Sequence, residues 1–188
     1  MIIVFSRITA RSDQRTKRAF VVLAEVGIAL TMLIVIVAFQ RLSLYEEAFG
    51  FTMLRLYSHV FAAWIALVFL FLAAEIGGVW RSRRWLVGAT IASAATVLLA
   101  MNVVNPESLV VSLNVDHAGT THQIDSEYLS QLSSDAIPAL LSATSQLNPD
   151  LRSQLLRVGC AGPHLYAAGP AAYNQADADA AAARRKTC

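Results

Sequence analysis

Three long apolar runs set the pattern of this chain: Ala19–Phe39, Leu56–Trp80 and Trp85–Val104. Each comes close to the roughly 20 residues that an α-helix needs to cross about 30 Å of hydrocarbon. Lipid offers no hydrogen bonds to a bare peptide group, so each run has to be helical. The first run is too long for a signal-peptide core, and Gln40-Arg41-Leu42 follows it in place of a small-x-small cleavage site. It reads as a retained span.

Between the first two runs, Leu42, Tyr45, Phe49 and Leu56 recur at near-helical spacing, with Arg41, Glu46 and Glu47 on other faces. That pattern predicts a short helix in the membrane interface, broken at Gly50. The third run is partly small: Gly88, Ala89, Ala92, Ser93, Ala94 and Ala95. A small face predicts close packing against other helices.

After residue 104 the pattern turns polar and its punctuation becomes informative. Asn105-Pro106-Glu107 reads as cap, first position and first-turn acid of a helix over 106–115, with Asp116–Thr121 as loop. Asp125 is placed to cap a segment with Leu129, Leu132, Ala136 and Leu140 on one face, split at Ser134/Asp135 by the approach of Pro138. Asn148-Pro149-Asp150 opens a further helix that Gly159 closes. Residues 160–175 are irregular, with Gly159, Gly162, Pro163, Gly169 and Pro170 around Tyr166 and Tyr173. From 176 on the composition predicts a flexible polar tail.

The fold class is therefore all-α: a transmembrane helix bundle of three spans with a small helical extracytoplasmic C-terminal segment. The divisions are a basic cytoplasmic arm (1–18), a transmembrane region (19–104, spans about 19–39, 56–80 and 85–104, with the interfacial loop 40–55 inside it), a helical segment (105–175) and the tail (176–188).

Charge supplies the orientation. Arg11, Arg15, Lys17 and Arg18 precede the first span, and Arg81, Arg83 and Arg84 join the second to the third. In the 40–55 loop Arg41 and Arg55 are balanced by Glu46 and Glu47. Basic residues near span ends stay in the cytoplasm, so the N-terminus is expected inside and the C-terminus outside a cell (inner) membrane. Trp80 and Trp85 suit interfacial anchors beside the basic loop. The net charge of only +2 implies no nucleic-acid surface.

Cys160 and Cys188 are the only cysteines, without metal-ligand spacing. Unpaired thiols are the favoured reading; a disulfide is the alternative, open only if that segment lies outside the cytoplasm.

The candidate sites are few. Tyr45, Glu46, Glu47, Thr52, Arg55 and His59 form the densest polar cluster near a membrane face, with Arg55 and His59 four apart on one helix. They read as an outer polar pocket or as interface anchors. Glu25 and Glu75 lie about one and a half turns from the cytoplasmic side of their spans, where acids are costly. They read as a facing protonatable pair, or as acids that pair with Arg18, Arg81 or Arg84. Asp116, His117, His122 and Asp125, with His164 further on, carry metal-binding residue types, but without helical ligand spacing they read as a solvated loop. No nucleophile elbow, phosphate loop or dinucleotide motif occurs.

Two stretches carry a resemblance. In 41–55, Tyr45, Ala48, Phe49, Gly50, Phe51, Thr52 and Arg55 stand in the order Tyr-x-x-Ala-aromatic-Gly-apolar-Thr-x-x-Arg. Asn105, Pro106 and Glu107 then follow the last span, and IDSEYLSQLSSDAIPALL occupies 124–141. Together with a closing Tyr173-Asn174, this resembles the C-terminal part of bacterial integral membrane proteins of the domain-of-unknown-function 4173 family, related to 4153, over roughly 40 to 180. The resemblance implies location and architecture rather than an activity. Members usually have more spans upstream, so it also implies a shortened form or a small member that pairs with another subunit.

The function expected is that of a non-enzymatic envelope interaction, scaffold or sensing component, with a transporter-like subunit or fragment as the alternative. No cofactor is implied. The implied partners are the lipid bilayer and other membrane-protein subunits or a second copy of the chain.

Overall fold

A computed structural model describes residues 14–78, 85–161 and 174–188. Among them the chain is helical and without strands. Helix α1 spans Gln14–Phe49, α2 Met53–Ile76 and α3 Trp85–Val104. All three are long and apolar enough to cross a membrane, and the chain is an integral membrane protein. The basic loop Arg81–Arg84, Trp80 and Arg11 lie outside the described residues.

The first span does not end at Phe39. Gln40–Phe49 continue α1 without interruption, so the expected separate interfacial segment is the last part of one 36-residue helix. The reason is local. Gln, Arg, Leu, Glu and Ala are all good helix formers, so a drop in hydropathy at Gln40 is no break in backbone hydrogen bonding. At 1.5 Å per residue, α1 is about 54 Å long, well beyond the hydrocarbon thickness. It stops at Gly50, as the sequence predicts. Gly50 has φ +75° and its N–H returns to the Glu46 carbonyl at 2.9 Å, the usual left-handed termination.

The chain forms two compact units. The first comprises Met1–Leu42 with His59–Leu98. Within it, the Trp64 indole N–H donates to Ser93 Oγ at 3.2 Å, Phe71 meets Trp85 edge-on, and the rings of Phe39 and His59 lie 5.0 Å apart. The small face of α3 is less enclosed than expected. Ser93 meets Trp64, but Gly88, Ala92 and Ala95 are exposed and no residue of α3 is buried.

The second unit comprises Ser43–Ser58 with Leu99–Cys188. Besides the ends of α1 to α3 it holds α4 (Pro106–Thr121), α5 (Ser126–Ser130), a 3-10 turn (Ser134–Ala136), α6 (Ile137–Ala143), a second such turn (Thr144–Gln146), α7 (Pro149–Cys160) and α8 (Gln175–Thr187). The expected caps are in place: Asn105, Asp125 and Asn148 accept from the N–H groups of Ser108, Tyr128 and Leu151. Helix α4 runs six residues further than expected, through Asp116–Thr121, because Val110, Val111, Val115 and Ala118 make one buried stripe. His122, in the left-handed region, closes it on the Ala118 carbonyl. The core of the unit is Val111, Val115, Leu129, Ala136, Leu140, Ala143 and Leu155.

The C-terminal stretch is not a flexible tail. Asn174 caps α8, Asp177 occupies its first turn, and Arg184, Arg185 and Lys186 its last. That charge order suits the helix dipole, and the alanine run between favours the helix. Ala180 is buried against Ile137 and Leu141. Cys160 and Cys188 form a disulfide, so the alternative reading of the cysteines is the one observed.

Candidate functional site

The polar cluster of the sequence falls on the turn between α1 and α2, residues Gly50–Thr52, inside the second unit. Three side chains hold this turn from different directions. Asn114 of α4, itself buried, accepts from Phe51 N–H at 3.0 Å and donates to Phe51 O at 2.8 Å and to Val110 O at 2.9 Å. Tyr128 of α5 accepts at its hydroxyl from Met53 N–H at 2.7 Å. Arg55 donates from Nη1 to Gly50 O at 2.5 Å. Thr52 Oγ1 accepts from Arg55 N–H at 3.4 Å, capping α2.

Gly50 is required here twice over. Its positive φ disfavours a side chain, and a Cβ would lie 2.7 Å from Asn114 Oδ1. The Arg55 guanidinium also sits 6.0 Å from the Phe49 ring centre, and Phe49 stacks on Tyr45.

The structure thus brings Tyr45, Thr52 and Arg55 together around one backbone turn. Glu46 is buried one helical turn before Gly50. His59 belongs to the first unit, with its ring against Phe39. Asn114 and Tyr128 are the residues that reasoning from sequence missed. Tyr128 lies in a stretch that carries the resemblance, but the partners of the two residues are 63 and 75 residues away.

The helix ends on either side of the turn expose apolar and aromatic side chains. Leu44, Tyr45, Phe49, Leu54 and Tyr57 are all exposed, Leu54 at 77%.

The two intramembrane acids lie in the first unit. Glu25 Oε1 would be 3.9 Å from a Cβ at Gly77, two residues beyond Glu75. Glu75 Oε2 is buried and has no hydrogen-bond partner among the described residues. Among those residues no three His, Cys, Asp or Glu side chains come together as a metal site. Asp116 and His117 are helical in α4, Asp125 is a cap, and His164 lies outside the described residues.

The family model for a domain of unknown function, DUF4153, matches residues 1–143. The chain belongs to this family. DUF4153 is the relative of the 4173 family that the sequence resembles, and the match starts further upstream than that resemblance. The DUF4153 region ends at Ala143, the last residue of α6, so α7, α8 and the disulfide lie beyond it. No curated protein and no solved structure matches the chain.

Proposed function

We propose that this DUF4153 protein is a non-enzymatic interaction or scaffold component of a cell envelope, with its N-terminus cytoplasmic and its C-terminal unit outside. One observation carries the interaction role: Leu44, Tyr45, Phe49, Leu54 and Tyr57 are exposed on the helix ends beside a turn that Asn114, Tyr128 and Arg55 brace. Pre-ordered aromatic side chains lose little entropy on contact and are frequent anchors of interfaces. The occupant proposed is a second membrane-protein subunit or a second copy of the chain. In support, the apolar windows of the three spanning helices are 6%, 0% and 0% buried within the chain, which leaves most of their faces for lipid or other helices.

The orientation is supported by Arg15, Lys17 and Arg18 before the first span. The Cys160–Cys188 disulfide supports it independently, since such bonds persist in oxidising compartments.

A photoreactive residue in place of Leu54 tests the interaction in intact cells. A protein adduct of one defined mass is expected; adducts to lipid alone would reduce this turn to a membrane anchor and refute the proposal. For the orientation, intact cells treated with an impermeant reductant and then an impermeant maleimide should label Cys160 and Cys188. Labelling only after lysis would place the unit inside.

A second reading, a subunit or fragment of a transporter-like protein, is favoured by Glu75 Oε2, buried without a hydrogen-bond partner among the described residues, and by Glu25 beside Gly77. Expression and phenotype unchanged in a Glu25→Gln, Glu75→Gln double variant would end it.

A further inference from the structure

Helix α8 is attached to its unit in an unusual way. Its sequence, QADADAAAARRKT, offers only alanine methyl groups to a core. Ala180 alone is buried, and Ala183 is partly buried beside it. These methyls cover Ile137 and Leu141, which are 7% and 3% exposed, on the last helix of the DUF4153 region. Each alanine buries little apolar area, so this contact is weak for a helix of 13 residues. A free helix of that length is marginal in water.

Other ties compensate, and they sit at the two ends. Near the N-terminus, the Ser134 hydroxyl donates to Asp177 Oδ1 at 2.5 Å. Near the C-terminus, Arg184 Nε donates to Gly159 O at 2.8 Å, and the next residue along α7, Cys160, is bonded to Cys188. At Gly159 α7 lies close to α6: a Cβ there would stand 2.5 Å from Leu141 Cδ2, so the buried Leu141 side chain would have to shift.

We infer that α8 is an oxidation-locked strap over the apolar end of the DUF4153 region, closed by the Cys160–Cys188 bond and released when that bond is reduced. The step balances with a dithiol as co-reactant. Two electrons and two protons pass to the disulfide, giving two cysteine thiols, and the dithiol becomes its own disulfide. Release frays α8 and uncovers Ile137 and Leu141, while the core around Val111, Leu140 and Leu155 stays packed. The C-terminal unit would therefore be complete in an oxidising compartment and would show an apolar face in a reducing one.

The test is hydrogen exchange, followed by mass spectrometry, on the full chain in detergent, with and without dithiothreitol. In the oxidised protein the amides of 178–187 should be protected. Reduction should speed their exchange roughly tenfold or more, leaving 108–118 within about twofold. A Cys160→Ser, Cys188→Ser double variant should show the fast pattern whether or not reductant is present. Protection of α8 that survives reduction would overturn the inference, because the helix would then be held by its packing. Loss of protection across α4 and α6 together with α8 would overturn it as well, because the bond would then be a staple for the whole unit.

Discussion

Replacing Gly50 by alanine should destabilise the C-terminal unit far more than a surface Gly→Ala change. Two costs combine. The backbone at Gly50 has φ +75°, and holding an L-residue there costs about 1 to 2 kcal/mol. The new Cβ would also stand 2.7 Å from Asn114 Oδ1. A side-chain tip can swing aside cheaply when it is free, but Asn114 is engaged in three hydrogen bonds, to Phe51 N–H, Phe51 O and Val110 O. Displacing it forfeits about 1 kcal/mol for each bond broken and leaves buried groups unsatisfied. With two of the three lost, the total is about 3 to 4 kcal/mol. The assay is amide exchange in the 110–115 segment of the intact protein, where 3 kcal/mol corresponds to roughly a hundredfold acceleration. An Asn114→Ala background separates the two costs. There the collision is gone, so Gly50→Ala should cost only about 1 to 2 kcal/mol, a coupling of roughly 2 kcal/mol between the sites. Acceleration below about threefold in the single variant, or equal penalties in both backgrounds, would refute the account of the turn.

Three further changes probe the same unit. Tyr128→Phe removes the acceptor of the Met53 N–H and should cost about 1 kcal/mol, read as faster exchange at 53–56 with the core otherwise unchanged. Glu107 Oε2 accepts from both Ser133 N–H and Ser133 Oγ at 2.7 Å; Glu107→Ala should cost about 1 to 2 kcal/mol in thermal unfolding, with Glu107→Gln recovering part of it. Asn148→Ala removes the cap of α7 and should cost about 1 kcal/mol, seen first as faster exchange at Leu151, whose N–H the Asn148 side chain accepts.

The parts of this fold that could be read from sequence are those governed by neighbours in the chain. Trp85–Val104 is bounded as its hydropathy indicates. Asn105, Asp125 and Asn148 cap where a short polar side chain precedes a helical stripe, and Gly50 ends α1. Errors arose where one kind of signal was taken for another. The change at Gln40 is a change of solvent preference, but the backbone of α1 continues through it. The polar composition after 176 hid good local helix signals: an Asn cap, an early acid, an alanine run and three terminal basic residues. The clamp by Asn114 and Tyr128 depends on contacts across 63 and 75 residues, which no local pattern encodes. The pairing of Cys160 with Cys188 likewise depends on how α7 and α8 pack, across 28 residues.

Two members of the polar cluster, Thr52 and Arg55, serve the backbone of the turn. A turn between two long helices leaves backbone groups that their own helices cannot satisfy. Here Phe51 N–H and O are met by Asn114, Met53 N–H by Tyr128, Gly50 O by Arg55 and Arg55 N–H by Thr52. These bonds fix the backbone of the turn, so a substitution that removes one of them changes what holds it. The exposed side chains on the helix ends beside the turn are Leu44, Tyr45, Phe49, Leu54 and Tyr57. In this chain the motif that carries the family resemblance supplies Gly50, Thr52 and Arg55 to the turn and its bracing.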